Sequence, residues 1–163
     1  MTAPPAPPSP QAPELDLEPD AEEMIVRYLD ARFRQLAGVT MEDPAPVQVV
    51  TELWLGPPGP SFDDELPVVL VTRAGGGDVA KPVLKGARID IDAYHVTKEA
   101  ASLLARQIQA LLTERLVKGV VIAGGQITSV TEETGPSYRP SLGKARAYGL
   151  THVYTIKKKG EAP

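Results

Sequence analysis

Between Ala87 and Leu112 the apolar period changes from two residues to 3.6 with almost no spacer. In the run Ala87–Val96, ARIDIDAYHV, residues Ile89, Ile91, Ala93 and His95 fall on one face of an extended chain. Arg88, Asp90, Asp92 and Tyr94 fall on the other, because successive strand side chains alternate. From Lys98 the pattern turns helical. Ala100, Ala101, Leu103, Leu104, Ile108, Leu111 and Leu112 form a wide apolar stripe, with Lys98, Arg106, Gln109 and Arg115 at polar positions. Thr97 is placed to cap this helix, which the spacing predicts over Lys98 to about Leu116. A strand with one apolar face needs a cover, and a helix with one apolar stripe needs a floor. The pair confines the chain to layered α and β structure.

The rest of the chain supplies the other members of those layers. Met24, Ile25, Tyr28, Leu29, Phe33 and Leu36 recur at helical spacing, predicting a helix from Ala21 to about Leu36. Asp20 is its cap, Glu23 stands three residues on as in a capping box, and Gly38 is the stop. Further strands are expected at Val47–Leu55, Pro67–Thr72, Gln126–Glu133 and Tyr148–Lys158, with an extra short one at Val120–Ile122. In the last long strand Leu150, His152, Tyr154 and Ile156 share one face and Thr151, Val153 and Thr155 the other. The order is α-β-β-β-α-β-β. Short connections favour hairpins, so the expectation is an α+β fold with a mixed, mostly antiparallel sheet and both helices on one face. The long segments 56–66 and 75–86, rich in Gly, Pro and charge, are expected to be loops.

Seven of the 17 prolines lie in the first 19 residues. Such a segment lacks backbone donors and apolar area, so residues 1–19 are expected to be an extended arm, partly polyproline II. Residues 20–159 form one domain and 160–163 a short tail. Charge is split: residues 1–46 carry nine acids against three bases, net −6, and residues 47–163 twelve acids against fourteen bases, net +2. A dedicated nucleic-acid binder would be basic throughout its domain. The absence of cysteine excludes disulfides, thiolate zinc sites, iron–sulfur clusters and cysteine nucleophiles. No apolar run approaches the about 18 residues of a membrane span. The N-terminus lacks a basic n-region and apolar h-region, so the chain is expected to stay where it is made.

The motifs point away from catalysis. Arg73–Asp78, RAGGGD, lacks both Walker spacing and a following helix, so it reads as a flexible tip between strands. Asp90 and Asp92 point the same way beside Arg88, and Asp63, Asp64 and Glu65 lie upstream, but no acid-x-Lys accompanies them as a metal nuclease would require. They read as a charged solvent face or a polar seam between subunits. No G-x-S-x-G occurs, and His95 and His152 sit on apolar faces as hydrogen-bonded core residues. The expectation is no enzyme, no cofactor and no metal. Trp54 and Phe62 flank the Pro-rich loop, where exposed aromatics would suit an interface. Arg73, Arg88, Asp90, Asp92, Lys157, Lys158 and Lys159 complete the candidate contact residues.

The succession from the N-terminal helix through Val71-Thr72-Arg73-Ala74-Gly75-Gly76, the strand-to-helix stretch 87–112 and the closing run Arg146–Ile156 resembles the tail terminator, or tail completion, proteins of long-tailed bacteriophages, especially those of actinobacteria. The resemblance covers residues 20–158. It implies a structural virion protein that forms a ring, hexameric in the family. The ring caps the head-proximal end of the tail tube, stops its growth and joins it to the head connector. Implied partners are further copies, the tube protein and the connector or stopper protein, with DNA passing through the ring without specific binding and no membrane involved. The location implied is the virion neck, after synthesis in the host cytoplasm. No family motif maps onto residues 1–19, and the arm is expected to dock on a neighbouring subunit or ring. Two other readings fit the residues: a different neck component of the same particle, or a peptide-binding module that accepts a strand at a sheet edge.

Overall fold

Asp20 starts the first helix. Its carboxylate accepts the N–H groups of Glu22 (2.9 Å) and Glu23 (3.3 Å), which would otherwise lack partners in the first turn. The computed structural model describes residues 19–53, 62–80 and 84–159. Helix α1 spans Ala21–Ala37 and ends where Gly38 adopts a left-handed conformation, φ 69°. Strands β1 (Gln48–Val50), β2 (Val68–Gly75), β3 (Asp78–Ala80) and β4 (Leu84–His95) follow. Helix α2 (Lys98–Leu111), the single turn α3 (Glu114–Val117), and strands β5 (Val121–Ile122), β6 (Gly125–Leu142) and β7 (Ala145–Lys158) complete the order.

The strands form one sheet in the order β1-β2-β4-β7-β6-β5, with β3 paired to β4 off this path. Only β1 and β2 run parallel; every other described pair is antiparallel. The fold is therefore the α+β class that the sequence predicts, in the order α-β-β-β-α-β-β with β3, α3 and β5 inserted. Ala87, Ile89, Ile91 and Ala93 of β4 and Leu150, Tyr154 and Ile156 of β7 are buried beneath both helices. Met24, Ile25, Leu29 and Phe33 of α1 and Leu104, Ala105 and Ile108 of α2 close over them. Burying side chains of this size contributes about 1.5–3 kcal/mol each before entropy is counted.

Four expectations are corrected. The helix expected to reach Leu116 stops at Leu111, and α3 restarts one turn later. The bend lets Leu112 and Val117 both enter the core, and the Leu111 carbonyl freed by the stop accepts the Tyr28 hydroxyl at 2.9 Å. Of the strand expected over Val47–Leu55, only Gln48–Val50 pair with β2 among the described residues, and residues 54 and 55 lie outside them. Residues 75–86 are not all loop: β3 and the start of β4 pair there, and Gly77 and Gly86 exchange backbone hydrogen bonds of 3.0 and 2.6 Å. Strand β6 continues past Glu133 to Leu142, through Gly135 and Pro136. A margin strand tolerates proline, and the register shifts at Glu132/Thr134 and Thr134/Ser137 absorb the irregularity.

Candidate functional site

The sheet face away from the helices carries the acids and bases foreseen along Ala87–Val96. Arg88, Asp90 and Asp92 of β4 stand beside Val153, Thr151 and Gly149 of β7. Each is answered across the sheet. Arg88 Nε lies 2.7 Å from Glu133 Oε2 on β6. The Thr151 hydroxyl donates to Asp90 Oδ1 at 2.6 Å. Asp92 Oδ1 faces Arg139 Nε of β6 at 3.6 Å, over the bare backbone of Gly149. A Cβ at Gly149 would overlap both atoms, so this glycine lets an acid and a base two strands apart approach each other. Burial raises the Asp92 carboxyl above the usual carboxylate range; Arg139 opposes the shift and Asp90 adds to it. Burial and the neighbouring Asp92 likewise raise the Tyr94 phenol.

The other candidates are scattered. Arg73 is exposed near the end of β2, and its backbone N–H donates to Glu22 Oε1 at 3.4 Å. Phe62 opens a short 3-10 turn, Phe62–Asp64, and Asp63 Oδ1 there accepts the Lys144 N–H at 3.3 Å. Lys157 is paired with Gln126 and Leu84 in the sheet, Lys158 is paired with Gly125, and the Lys159 N–H donates to the Gly124 carbonyl. Trp54, residues 1–18 and residues 160–163 lie outside the described residues. His95 is not a core residue: it is half-buried, and its Nδ1 accepts the Val96 N–H at 2.8 Å. A Cβ at Gly76 would overlap the Gly86 carbonyl, so the Gly75–Gly77 run permits two backbones to pass closely. Among the described residues no three His, Asp or Glu side chains converge as a metal site, and no helix is long and apolar enough to cross a membrane.

A second polar group was legible only in part. His152 falls on the buried face of β7, as its alternation with Leu150 and Tyr154 predicts, and is 2% exposed. Its Nδ1 lies 3.1 Å from the Tyr154 hydroxyl, and its Nε2 lies 3.6 Å from Glu132 Oε2. The carboxylate favours the tautomer with the proton on Nε2, so Tyr154 donates to Nδ1. Gln109 of α2 donates to Glu132 Oε2 at 2.6 Å. Burial pushes the His152 imidazole below its ordinary range against the pull of Glu132, and burial also raises the Tyr154 phenol. The group floors a cleft of about 370 Å³ between α2 and β6, with Arg106, Ala110, Leu112 and Val130 on its walls. Spacing along the sequence gives no hint that Gln109 and Glu132 meet His152, since the three come from different elements.

The paired charged face and the polar-floored cleft are the two sites that the described residues build. The family model described as phage tail termination protein matches residues 18–144. The chain belongs to the phage tail termination protein family. The match runs from the residues before α1 to the turn after β6, so it contains both helices and every strand except β7. Membership makes this a phage tail protein that interacts with other tail components. No curated protein matches the chain.

Proposed function

We propose that this protein assembles into a hexameric ring that caps the head-proximal end of the tail tube, ends tube polymerisation and joins the tail to the head connector in the virion neck. The family match over residues 18–144 carries the reading. The sheet geometry supports it. On the face away from the helices the cations Arg88 and Arg139 are each set against a carboxylate. Such a face offers little unpaired positive charge to phosphates, whose binding depends on released counterions. If it borders the channel, DNA passes without specific retention. The work is done by shape and charge complementarity between copies, with the tube protein and with the connector, and no catalytic step is involved.

Native mass measurement and negative-stain images of the purified protein, alone and with tube protein, test this. Six-membered rings, and tubes that stop growing with a ring at one end, are the expected result. A chain that stays monomeric at tens of micromolar and leaves tube growth unchanged overturns the proposal.

A further inference from the structure

Two features of the helix-bearing layer open to its surface. One is the loop after α1. The Arg34 guanidinium binds Asp30 through Nε at 3.0 Å and donates to the carbonyls of Thr40 and Asp43, both at 2.7 Å. The N–H and hydroxyl of Thr40 both donate to the Asp43 carboxylate, at 2.7 and 2.8 Å. These bonds hold Asp43 below the usual carboxylate range. The loop is thus fixed, yet Met41 in it stands 71% exposed, and Leu36 in the last turn of α1 68%. An ordered loop with uncovered apolar side chains has little entropy left to lose on binding. The other feature is the cleft between α2 and β6, whose apolar walls are Ala110, Leu112 and Val130 and whose charged lip is Arg106. Its floor holds buried His152, with Nε2 in no hydrogen bond.

The two lie at opposite margins. The loop connects α1 to β1, at one margin of the sheet, and the cleft flanks β6, towards the other. We propose that the 38–43 loop of one copy seats in the α2–β6 cleft of the next, with Met41 against Ala110 and Val130 and the Glu42 carboxylate on Arg106. The inference rests on the ring reading above and names its subunit contact. A closed ring of identical subunits joined head to tail uses two different patches on each copy, and closure leaves neither free. Met suits an irregular apolar cleft because its thioether chain is flexible. Glu42 and Arg106 are both exposed and of opposite sign, whereas the Asp43 carboxylate accepts from Thr40 and the Glu132 carboxylate, deeper in the cleft, accepts from Gln109.

The chain has no cysteine, so introduced thiols are unique. Met41→Cys and Ala110→Cys variants are prepared separately, mixed and oxidised. Disulfide-linked dimers are expected in the mixture, with at most a trace in either variant alone, and a chain bearing both substitutions should give a covalent ladder ending at the ring's copy number. In parallel, Glu42→Arg or Arg106→Glu should each weaken association at least tenfold, and the two together should restore it to within about threefold of wild type. Rings of wild type without cross-links in the mixture, or a double charge reversal no better than the singles, overturn the contact and leave the ring reading standing. Wild type that forms no ring even with tube protein overturns the ring reading, and the contact with it.

Discussion

Replacing Gly149 with Ala tests whether the charged sheet face is built as described. The new methyl would overlap Asp92 Oδ1 and Arg139 Nε and lie 3.0 Å from Arg139 Cγ. Overpacking a site of this kind costs about 1–3 kcal/mol. Loss of the Asp92–Arg139 approach adds only a few tenths, since Arg139 is 40% exposed and solvent screens the pair. Against this, alanine gains roughly 0.5–1 kcal/mol over glycine in chain entropy. The net expectation is a loss of about 1–2 kcal/mol. At about 2–4 °C per kcal/mol for a chain of this size, the Tm falls by roughly 2–8 °C. The decisive comparison is a cycle with Arg139→Ala, which removes one of the two side chains that the methyl would meet. In that background Asp92 has room to turn, so Gly149→Ala should be neutral or slightly stabilising. Urea or calorimetric unfolding of the four proteins at one protomer concentration reads the coupling, expected to be about 1 kcal/mol or more. A cost that is the same in both backgrounds to within about 0.5 kcal/mol would refute the argument.

Three further outcomes follow from single features. Gly38→Ala should cost about 1 kcal/mol, because Gly38 holds φ 69° with no neighbour within 4 Å of a Cβ, and Gly38→Asn should cost less; equal urea midpoints for Gly38→Ala and wild type would remove the left-handed cap. Burial lowers the folded pKa of His152, so the unfolded chain binds the proton first and stability should fall as pH drops through about 6.5. Denaturant midpoints at pH 7.5, 6.5 and 5.5 should show that slope, and His152→Gln should flatten it. Burial raises the folded pKa of Asp92, so wild type should lose stability relative to Asp92→Asn as pH rises above about 3.8; a difference that does not grow between pH 4 and pH 7 would contradict the burial.

How much of this was legible in the sequence divides along the range of the forces involved. The ends of α1 were readable because Asp20 and Gly38 act on backbone within three or four residues. The two faces of β4 and β7 were readable because alternation is a property of the strand alone. The stop of α2 was not. Leu112, Leu116 and Val117 continue the apolar spacing through the bend, and the bond that the freed Leu111 carbonyl accepts there comes from Tyr28, 83 residues away. The length of β6 was hidden by Gly135 and Pro136, which break an interior strand but are tolerated at a margin. Of the site, Arg88, Asp90 and Asp92 could be placed on one face, but their partners Glu133, Thr151 and Arg139 required the register. Arg34 and Asp43 gave no signal, since a cation bound to two carbonyls leaves no spacing pattern.

The margins of the sheet bear on how copies can join. An exposed edge that accepts any strand would favour open-ended stacking, which the proposed role of ending a polymer would have to avoid. The stretches left uncovered beyond the short margin strands β5 and β1 are each blunted. Past Gln126 the outer side of β6 has no strand partner among the described residues, but Pro136 lacks a donor and four register shifts bend the strand. Beyond Leu70 the outer side of β2 is likewise without a strand, and there Glu22 accepts the Arg73 N–H. Generic strand addition is therefore obstructed at two places by residues that contribute little to the core. A contact made through side chains, as in the proposed seating of the fixed loop in the cleft, would be limited to one geometry and would stop once a ring closed. This favours recognition by the 38–43 loop over continuation of the sheet from copy to copy.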